Sequence, residues 1–301
     1  MSQRPTASIV IPVLNGGDTI SDTLRALQGQ AGGLAGVEII VVDNGSSDDT
    51  VTIVQQFPVS LLHEPLRGAS AARNRGLYAA SNDVVINVDA DTVPSRQWLR
   101  EILAPFADPE VILVGGQTLS FPPGNAVERY IDQCGLHRPR YNVENPVMPF
   151  VMGGNLAVRR AAALAVGGWD ESFPRGEDVE FCTRLQRRYS TGIHYQPSAG
   201  LFHRHRGDVD SLRSQAWGYG HGTALLYARY PEDLQWDVWR VLRVGRILVA
   251  RMAVQIWTGL AYRLGRIECE RAEFARLHRI WGWCFWRGFM NARYGDGRLD
   301  P

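Results

Sequence analysis

The sequence predicts an α/β fold, a mainly parallel sheet sandwiched by helices, with a helical C-terminal region. Three observations predict it. Short apolar runs alternate with helix-period segments through the first third of the chain, the pattern of a parallel sheet covered on both faces. One apolar run, Val84-Val85-Ile86-Asn87-Val88, passes directly into Asp89-Ala90-Asp91, and open α/β sheets bind ligands beyond the C-terminal ends of their strands. From about Gly207 the alternation stops and long helical patterns take over.

The elements follow in order. Ser8-Ile9-Val10-Ile11-Pro12-Val13 reads as a buried strand; its proline sits near the end, where a missing ladder donor is tolerated. Asn15-Gly16-Gly17 makes the turn, and Asp18 is placed to cap a helix with Ile20, Leu24 and Leu27 on one face. Val37 to Val42 is a second strand, ending in Asp43-Asn44-Gly45-Ser46-Ser47-Asp48, and a helix through Val51 and Val54 follows. Val59 to Leu62 is a short third strand, Ala69 to Ala80 an alanine-rich helix, and Asp83 to Asp89 the fourth strand. Ser95 is placed to cap a helix containing Trp98, Leu99 and Ile102. Further on, Glu177-Asp178 opens a helix through Phe181, Leu185 and Arg188. Ile193 to Gln196 reads as a strand and Pro197-Ser198-Ala199-Gly200 as a turn. Trp217 to Tyr230, Trp236 to Arg266 and Ala272 to Met290 read as helices, with Pro231 dividing the first two.

The strand ends then share one edge: Pro12-Val13, Asp43 and the Asp89/Asp91 pair. In an extended chain alternate side chains share a face, which points Asp89 and Asp91 together. Two convergent carboxylates suit a hard divalent cation, which commonly arrives with substrate phosphates. The plain alternative is a strand followed by an acidic turn.

Composition narrows the chemistry. The 301 residues carry a formal net charge of +1, so no global field draws in nucleic acid. All 32 basic residues are arginine, which removes a Walker lysine, a Schiff base and a lysine general base. Phosphate recognition falls to arginine, whose planar fork suits it. Cys134, Cys182, Cys269 and Cys284 have neither metal nor redox spacing, which points to a reducing, cytoplasmic setting. The start, Met1-Ser2-Gln3-Arg4-Pro5, has no signal-peptide core, and no run is long and apolar enough to span a bilayer. No Gly-x-Gly-x-x-Gly follows the first strand, which removes support for a dinucleotide oxidoreductase.

Ile11-Pro12-Val13-Leu14-Asn15, Val41-Val42-Asp43-Asn44-Gly45-Ser46-Ser47-Asp48, Gly68-Ala69-Ser70-Ala71-Ala72-Arg73-Asn74-Arg75-Gly76 and Asp89-Ala90-Asp91 occur in an order and spacing that resemble the family-2 inverting glycosyltransferases of GT-A fold. Gly153-Gly154-Asn155, Gly167-Gly168-Trp169-Asp170-Glu171-Ser172-Phe173 and Gly176-Glu177-Asp178 resemble the acceptor-side signature of that family. The resemblance runs from Ser8 to Arg206. It implies a mixed, mainly parallel sheet with helices on both sides. The catalytic domain would occupy residues 1–206, with a nucleotide-binding half to 105 and an acceptor-side half from 106. Residues 207–301 would form a helical appendage.

The resemblance also implies roles. Asp91 would ligate Mn2+ or Mg2+, with Asp89 on the ribose or bound to the metal through water. His203 would be a further metal ligand, and an imidazole favours manganese over magnesium; His205 is its alternative. Pro12, Val13, Asn15 and Asp43 would meet the nucleobase, Ala90 would accompany the two aspartates, and Arg73 would bind uracil or phosphate. Gly153, Gly154 and Asn155 would offer backbone donors to the nucleotide sugar. Asp178 would be the general base, Glu177 would position sugar or acceptor, and Trp169 would stack on an acceptor ring. The macrodipole of the helix opened by Glu177 predicts a lowered pKa for Asp178.

Each residue has a plainer reading. Asp43 can form an Asx turn, Arg73 can be a surface arginine, and Glu177-Asp178 can be helix-capping acids. Trp169 can be core, and His203 and His205 can belong to a solvated basic loop or bind the diphosphate. The expected donor is a nucleoside diphosphate sugar, uridine being favoured, and the expected acceptor a glycan, lipid-linked or small-molecule hydroxyl. A sugar-phosphate nucleotidyltransferase is a weaker fit, because Asn15-Gly16-Gly17-Asp18 carries no basic residue; a noncatalytic carbohydrate-binding protein is another. Residues 236–301 hold twelve arginines against six acids, and six tryptophans recur between Trp236 and Trp286. Arg240, Arg243, Arg246 and Arg251 fall in one helical arc, away from Leu242, Val249 and Ile256. That composition fits a helical cap, a homodimer interface or peripheral attachment to a membrane surface on its cytoplasmic face.

Overall fold

The structure, a computed structural model, describes residues 6–31, 36–134, 139–234 and 268–294, with scattered positions between 246 and 265. The chain divides into two compact units. One comprises Met1–Phe121 and His137–Arg204, the other Pro122–Leu136 and His205–Pro301.

The first unit is built on β1 (Ala7–Val13), β2 (Val37–Asp43), β3 (Ser60–His63), β4 (Val84–Val88), β5 (Thr92–Pro94), β6 (Leu113–Ser120), β7 (Asn155–Arg159) and β8 (His194–His203). They form one eight-stranded sheet in the order β3-β2-β1-β4-β7-β6-β8-β5. The β1–β2, β2–β3, β1–β4 and β6–β8 pairs are parallel, whereas β7 runs antiparallel to both neighbours and β5 antiparallel to β8. The sheet is therefore mixed.

The apolar runs are nearly continuous because both faces are covered. Alternate residues sort into two cores. Ile9, Ile11, Ile39, Val41, Val84 and Ile86 face Ile20, Leu24 and Leu27 of α1 (Ile20–Ala31) and Trp98, Leu99 and Ile102 of α4 (Trp98–Leu103). Val10, Ile40, Val42 and Val85 pack with Ala72 and Leu77 of α3 (Ala69–Ala79) and Phe181, Cys182 and Leu185 of α8 (Glu177–Tyr189). Short helices α2 (Thr50–Val54), α6 (Pro139–Val143) and α7 (Arg160–Ala165) complete this unit. Gly76 of α3 lies where any Cβ would overlap Val10, so the missing side chain sets how closely α3 approaches β1.

Three local expectations change. Asp18 lies in the turn before α1, whose opening is held by Gly16 O, which accepts from the Thr19 and Ile20 N–H groups. Gln97, not Ser95, is the N-cap of α4, and it makes no side-chain capping bond; Ser95 O accepts from Trp98 N–H. Pro197 to Gly200 is not a turn between elements. β8 continues through it, with a register shift in which Gly116 pairs with Gln196 and Gln117 with Gly200. The extra residues sit in a bulge, which tolerates proline because no ladder donor is required there.

The second unit holds α5 (Ala126–Cys134), α9 (Val209–Arg229) and α10 (Cys269–Tyr294). Val127, Tyr130, Ile131, Leu212 and Leu277 form its buried cluster. Asp208 caps α9, its carboxylate accepting from Ser211 N–H at 2.7 Å. Gly220 of α9 meets the backbone of Phe285, and Gly288 of α10 meets that of Trp217, so the two helices touch backbone to backbone. The helix expected over Trp217 to Tyr230 is part of α9, with Tyr230 as its C-cap, and the one over Ala272 to Met290 falls within α10. Most of the one expected from Trp236 to Arg266, including Arg240, Arg243 and Arg251, lies outside the described residues.

Candidate active site

The parallel register brings the strand ends together. Val13 is opposite Asp43, and Val10 opposite Asn87, so β1, β2 and β4 finish at one edge. Asp89, Ala90 and Asp91 follow β4 there, but not as extended chain. β4 stops at Val88 and a turn covers Ala90 and Asp91 before β5 begins at Thr92. The turn, rather than strand alternation, makes the two carboxylates converge. Thr92 Oγ1 donates to Asp89 O at 2.7 Å, and Thr23 Oγ1 donates to Ala90 O and Thr92 O, which fixes the turn from the α1 side.

The turn feeds β5 against β8, and Thr92 pairs with His203. His203 Nε2 lies 3.5 Å from Asp91 Oδ1, and ligand atoms of Asp89, Asp91 and His203 all lie within 4.8 Å of one another. Two carboxylate oxygens and one imidazole nitrogen match a first-row divalent ion such as manganese. The histidine of this cluster is His203, and Arg204 beside it donates to Asp22 at 2.8 Å while its backbone N–H binds Asp91 O.

Arg73 sits behind the aspartates, 5% exposed. Its Nη2 reaches Asp89 Oδ1 at 3.0 Å and its Nη1 reaches Glu177 Oε1 at 2.8 Å. The guanidinium carbon lies 4.9 Å from the Trp169 ring centroid. Burial would lower the arginine pKa, but Asp89 and Glu177 outweigh it and raise it, so the side chain stays charged. Gly153 and Gly154 create this space. A Cβ on Gly153 would sit 2.9 Å from Arg73 Nη2, and one on Gly154 would overlap the Asp89 carboxylate. Arg73 thus ties the Asp-x-Asp turn to the start of α8.

That helix starts after Gly176, whose φ of 78° is left-handed and favours glycine. Glu177 and Asp178 occupy its first turn. The Asp178 carboxyl is pushed up to about 7, first by desolvation and next by Glu177, against the pull of Arg73 and of N–H groups at Val179 and Gly153. The expected lowering by the helix dipole is therefore reversed: in this setting burial beside a second carboxylate exceeds a helix-end effect of about 1 kcal/mol.

Asp43 lies at the same edge and forms its own turn, Oδ2 accepting from Gly45 N–H at 3.2 Å and Oδ1 from Ser46 N–H at 3.0 Å. Burial pushes its carboxyl up, but these bonds, with His63, hold it below the usual value. Asn15, at φ 52°, accepts from Ser47 N–H at 2.8 Å, stitching the first two loops together beside Pro12 and Val13.

Two expected residues sit elsewhere. Asn155 is 1% exposed, and its side-chain amide is satisfied by Trp98 Nε1–H, Gln117 O and Ala199 O, so that side chain joins sheet to α4. Trp169 is 3% exposed, stacked on Phe181 at 4.3 Å and covered by Arg73, so it offers no ring face to an acceptor. Asn74 was assigned no role from sequence; it grips the Trp169 backbone through both amide atoms, at 2.8 and 2.9 Å, and donates to Glu171. Its only sequence signal is adjacency to Arg73.

A mixed sheet that carries an Asp-x-Asp turn and a buried acidic helix start at one edge matches the GT-A fold that the sequence resemblance implies. The chain belongs to glycosyl transferase family 2, whose family model matches residues 8–167. A pre-mycofactocin glycosyltransferase of Mycobacterium tuberculosis (strain CDC 1551 / Oshkosh) is 33% identical over 265 residues, covering 84% of this chain and 53% of that protein. The chain thus spans about half the length of that curated relative. A mannosyltransferase from Pyrobaculum calidifontis, solved with GDP-Man and Mn2+, shares the fold at a TM-score of 0.68 and 18% identity, over 98% of this chain and 89% of that one. Glucosyl-3-phosphoglycerate synthase from Mycobacterium tuberculosis, solved with Mn2+, UDP and glucosyl-3-phosphoglycerate, does so at 0.53 and 24%, over 75% and 80%.

Proposed function

We propose that this glycosyltransferase is metal-dependent and inverting, and that it moves a sugar from a nucleoside diphosphate sugar, a uridine diphosphate sugar first among them, to the hydroxyl of a glycan, lipid-linked or small-molecule acceptor. The observation that carries this is the Arg73 bridge, which holds one aspartate of the candidate metal cluster beside Glu177, the neighbour of Asp178. Asp89, Asp91 and His203 would hold Mn2+ or Mg2+, and the ion, when bound, offsets charge on the departing diphosphate. The bound GDP-Man, UDP and Mn2+ in the two structural neighbours support the reading.

The chain's own groups do the rest. Pro12, Val13, Asn15 and Asp43 shape the nucleobase end, with Asp43 acting chiefly through its turn. Arg73 orients Asp89 through its Nη2 bond. Asp178 takes the proton of the acceptor hydroxyl as that oxygen attacks the anomeric carbon and the diphosphate leaves from the opposite side. A carboxyl near 7 is a stronger base than an ordinary one and is still ionised in part at neutral pH. Glu177 supports that raised value through its charge. A cytoplasmic site of action fits the cysteine spacing.

Thermal shift with UDP, GDP and dTDP, each with and without Mn2+, tests the donor site. One nucleotide should stabilise the protein only with metal, and Asp91→Ala should remove that response. Folded protein indifferent to all three would refute the donor site. Mass spectrometry and NMR of the products then identify the sugar transferred and its anomeric configuration; retention would overturn the inverting step.

A further inference from the structure

The second unit has a surface that the transfer chemistry does not use. α10 buries Leu277, Gly282, Gly288 and Phe289. Its outward residues are Arg276, Arg279, Trp283, Arg287, Met290 and Tyr294, all exposed. Their spacing of three and four places them within an arc of about 80° at 3.6 residues per turn. Trp283 is 68% exposed, Met290 49% and Tyr294 65%. No Asp or Glu occurs from Arg276 to Tyr294. A helix face kept in water commonly mixes both charge signs; this one interleaves cations with large apolar and aromatic side chains.

We propose that this face of α10 seats the protein on an anionic lipid bilayer, the helix lying in the plane of the headgroups. Trp and Tyr favour that depth. Arginines bury their stems there and keep the guanidinium among lipid phosphates. Charge complementarity selects this occupant over a second copy of the chain, because two such faces would oppose arginine to arginine. Exposed Ile256, Trp257 and Leu264, and the arginine surplus of residues 236–301, add apolar surface and positive charge to the same unit. Among the described residues no helix is long and apolar enough to cross a membrane; the contact proposed for α10 is peripheral. The inference goes beyond the transfer reaction and does not rest on it.

The test is flotation of the full chain with vesicles of phosphatidylcholine alone or of equimolar phosphatidylcholine and phosphatidylglycerol. The protein should float only with the anionic vesicles, and less as salt rises. Combining Arg276→Glu, Arg279→Glu and Arg287→Glu should lower the partition coefficient by roughly two orders of magnitude. Trp283→Ser with Met290→Ser should lower it roughly tenfold or more. Circular dichroism and melting temperature monitor the fold; if charge reversal disturbs it, Gln at the same three positions gives a milder loss in the same direction. No flotation with anionic vesicles, equal flotation with neutral ones, or full binding by folded variants overturns the proposal. So does self-association or capture of an acidic protein through this face without vesicle binding.

Discussion

Asp178 carries a stability cost that its proposed role as base explains. Its carboxyl titrates at about 7 in the folded chain against an ordinary 3.8. Stability from the protonated acid is complete below 3.8 and is lost as pH rises through 7. Asp178→Asn removes the ionisation, so its melting temperature should gain on the native protein as pH rises from about 4 to about 7, by several degrees. The ceiling is about 4 kcal/mol, since each pKa unit is about 1.4 kcal/mol. The same variant should lose transfer while keeping nucleotide binding. Melting curves that stay parallel across that range would remove Asp178 from the buried acidic pair. Gly154 is the second test at this scale. In Gly154→Ala the new methyl displaces Asp89 from Arg73, so calorimetry should show metal-dependent nucleotide affinity reduced roughly tenfold or more. Unchanged affinity would separate Asp89 from the ion. The Asp-x-Asp turn and the acidic start of α8 were legible because local order marks them. The work of Gly153 and Gly154 was not, since they are spaces shaped by Arg73 and Asp89, remote in sequence. For Trp169 the sequence allows stacking or core, and only its burial against Phe181 and Arg73 decides for core.

At the scale of elements, strands and helices were legible wherever one face was periodic, as in α1 with Ile20, Leu24 and Leu27, and wherever both faces were apolar, as in β1, β2 and β4. β8 was misread because Pro197 and Gly200 look like punctuation, and only pairing with β6 carries the strand through them as a bulge. The α9–α10 contact was half legible: Gly218-x-Gly220-x-Gly222 fits either flexible backbone or close helix packing, and the structure selects packing, with Gly220 admitting the carbonyl of Phe285. The Cβ of Gly220→Ala would overlap backbone, which puts its cost toward the upper end of about 1–3 kcal/mol, against about 1 kcal/mol gained in helix propensity. Melting temperature should therefore fall, although alanine is the better helix former. A rise would show that α9 and α10 separate without penalty and that their glycines do not set the spacing.

For the whole molecule, the chain's order and its compact units do not coincide. Residues 122–136 interrupt the first unit and belong to the second, where α5 buries Val127, Tyr130 and Ile131 with Leu212 of α9 and Leu277 of α10. Sequence alone places the boundary near residue 206, where the strand–helix alternation ends; α5 lies upstream of that point and resembles any other amphipathic helix. A truncation after residue 206 would keep every residue proposed for metal, donor and base. It would also strip α5 of its partners and expose three large apolar side chains together. The expected outcome is a fragment that aggregates in size-exclusion chromatography. Substituting Val127 and Ile131 by Ser in that fragment should restore monomeric behaviour, because they have no core left to fill. A monodisperse, cooperatively melting 1–206 fragment would show that the α/β unit is complete without the helices and that α5 is an ornament on it. Aggregation relieved by the two serines would show that the helical unit is needed to cover α5, whatever else its exposed arginine face does.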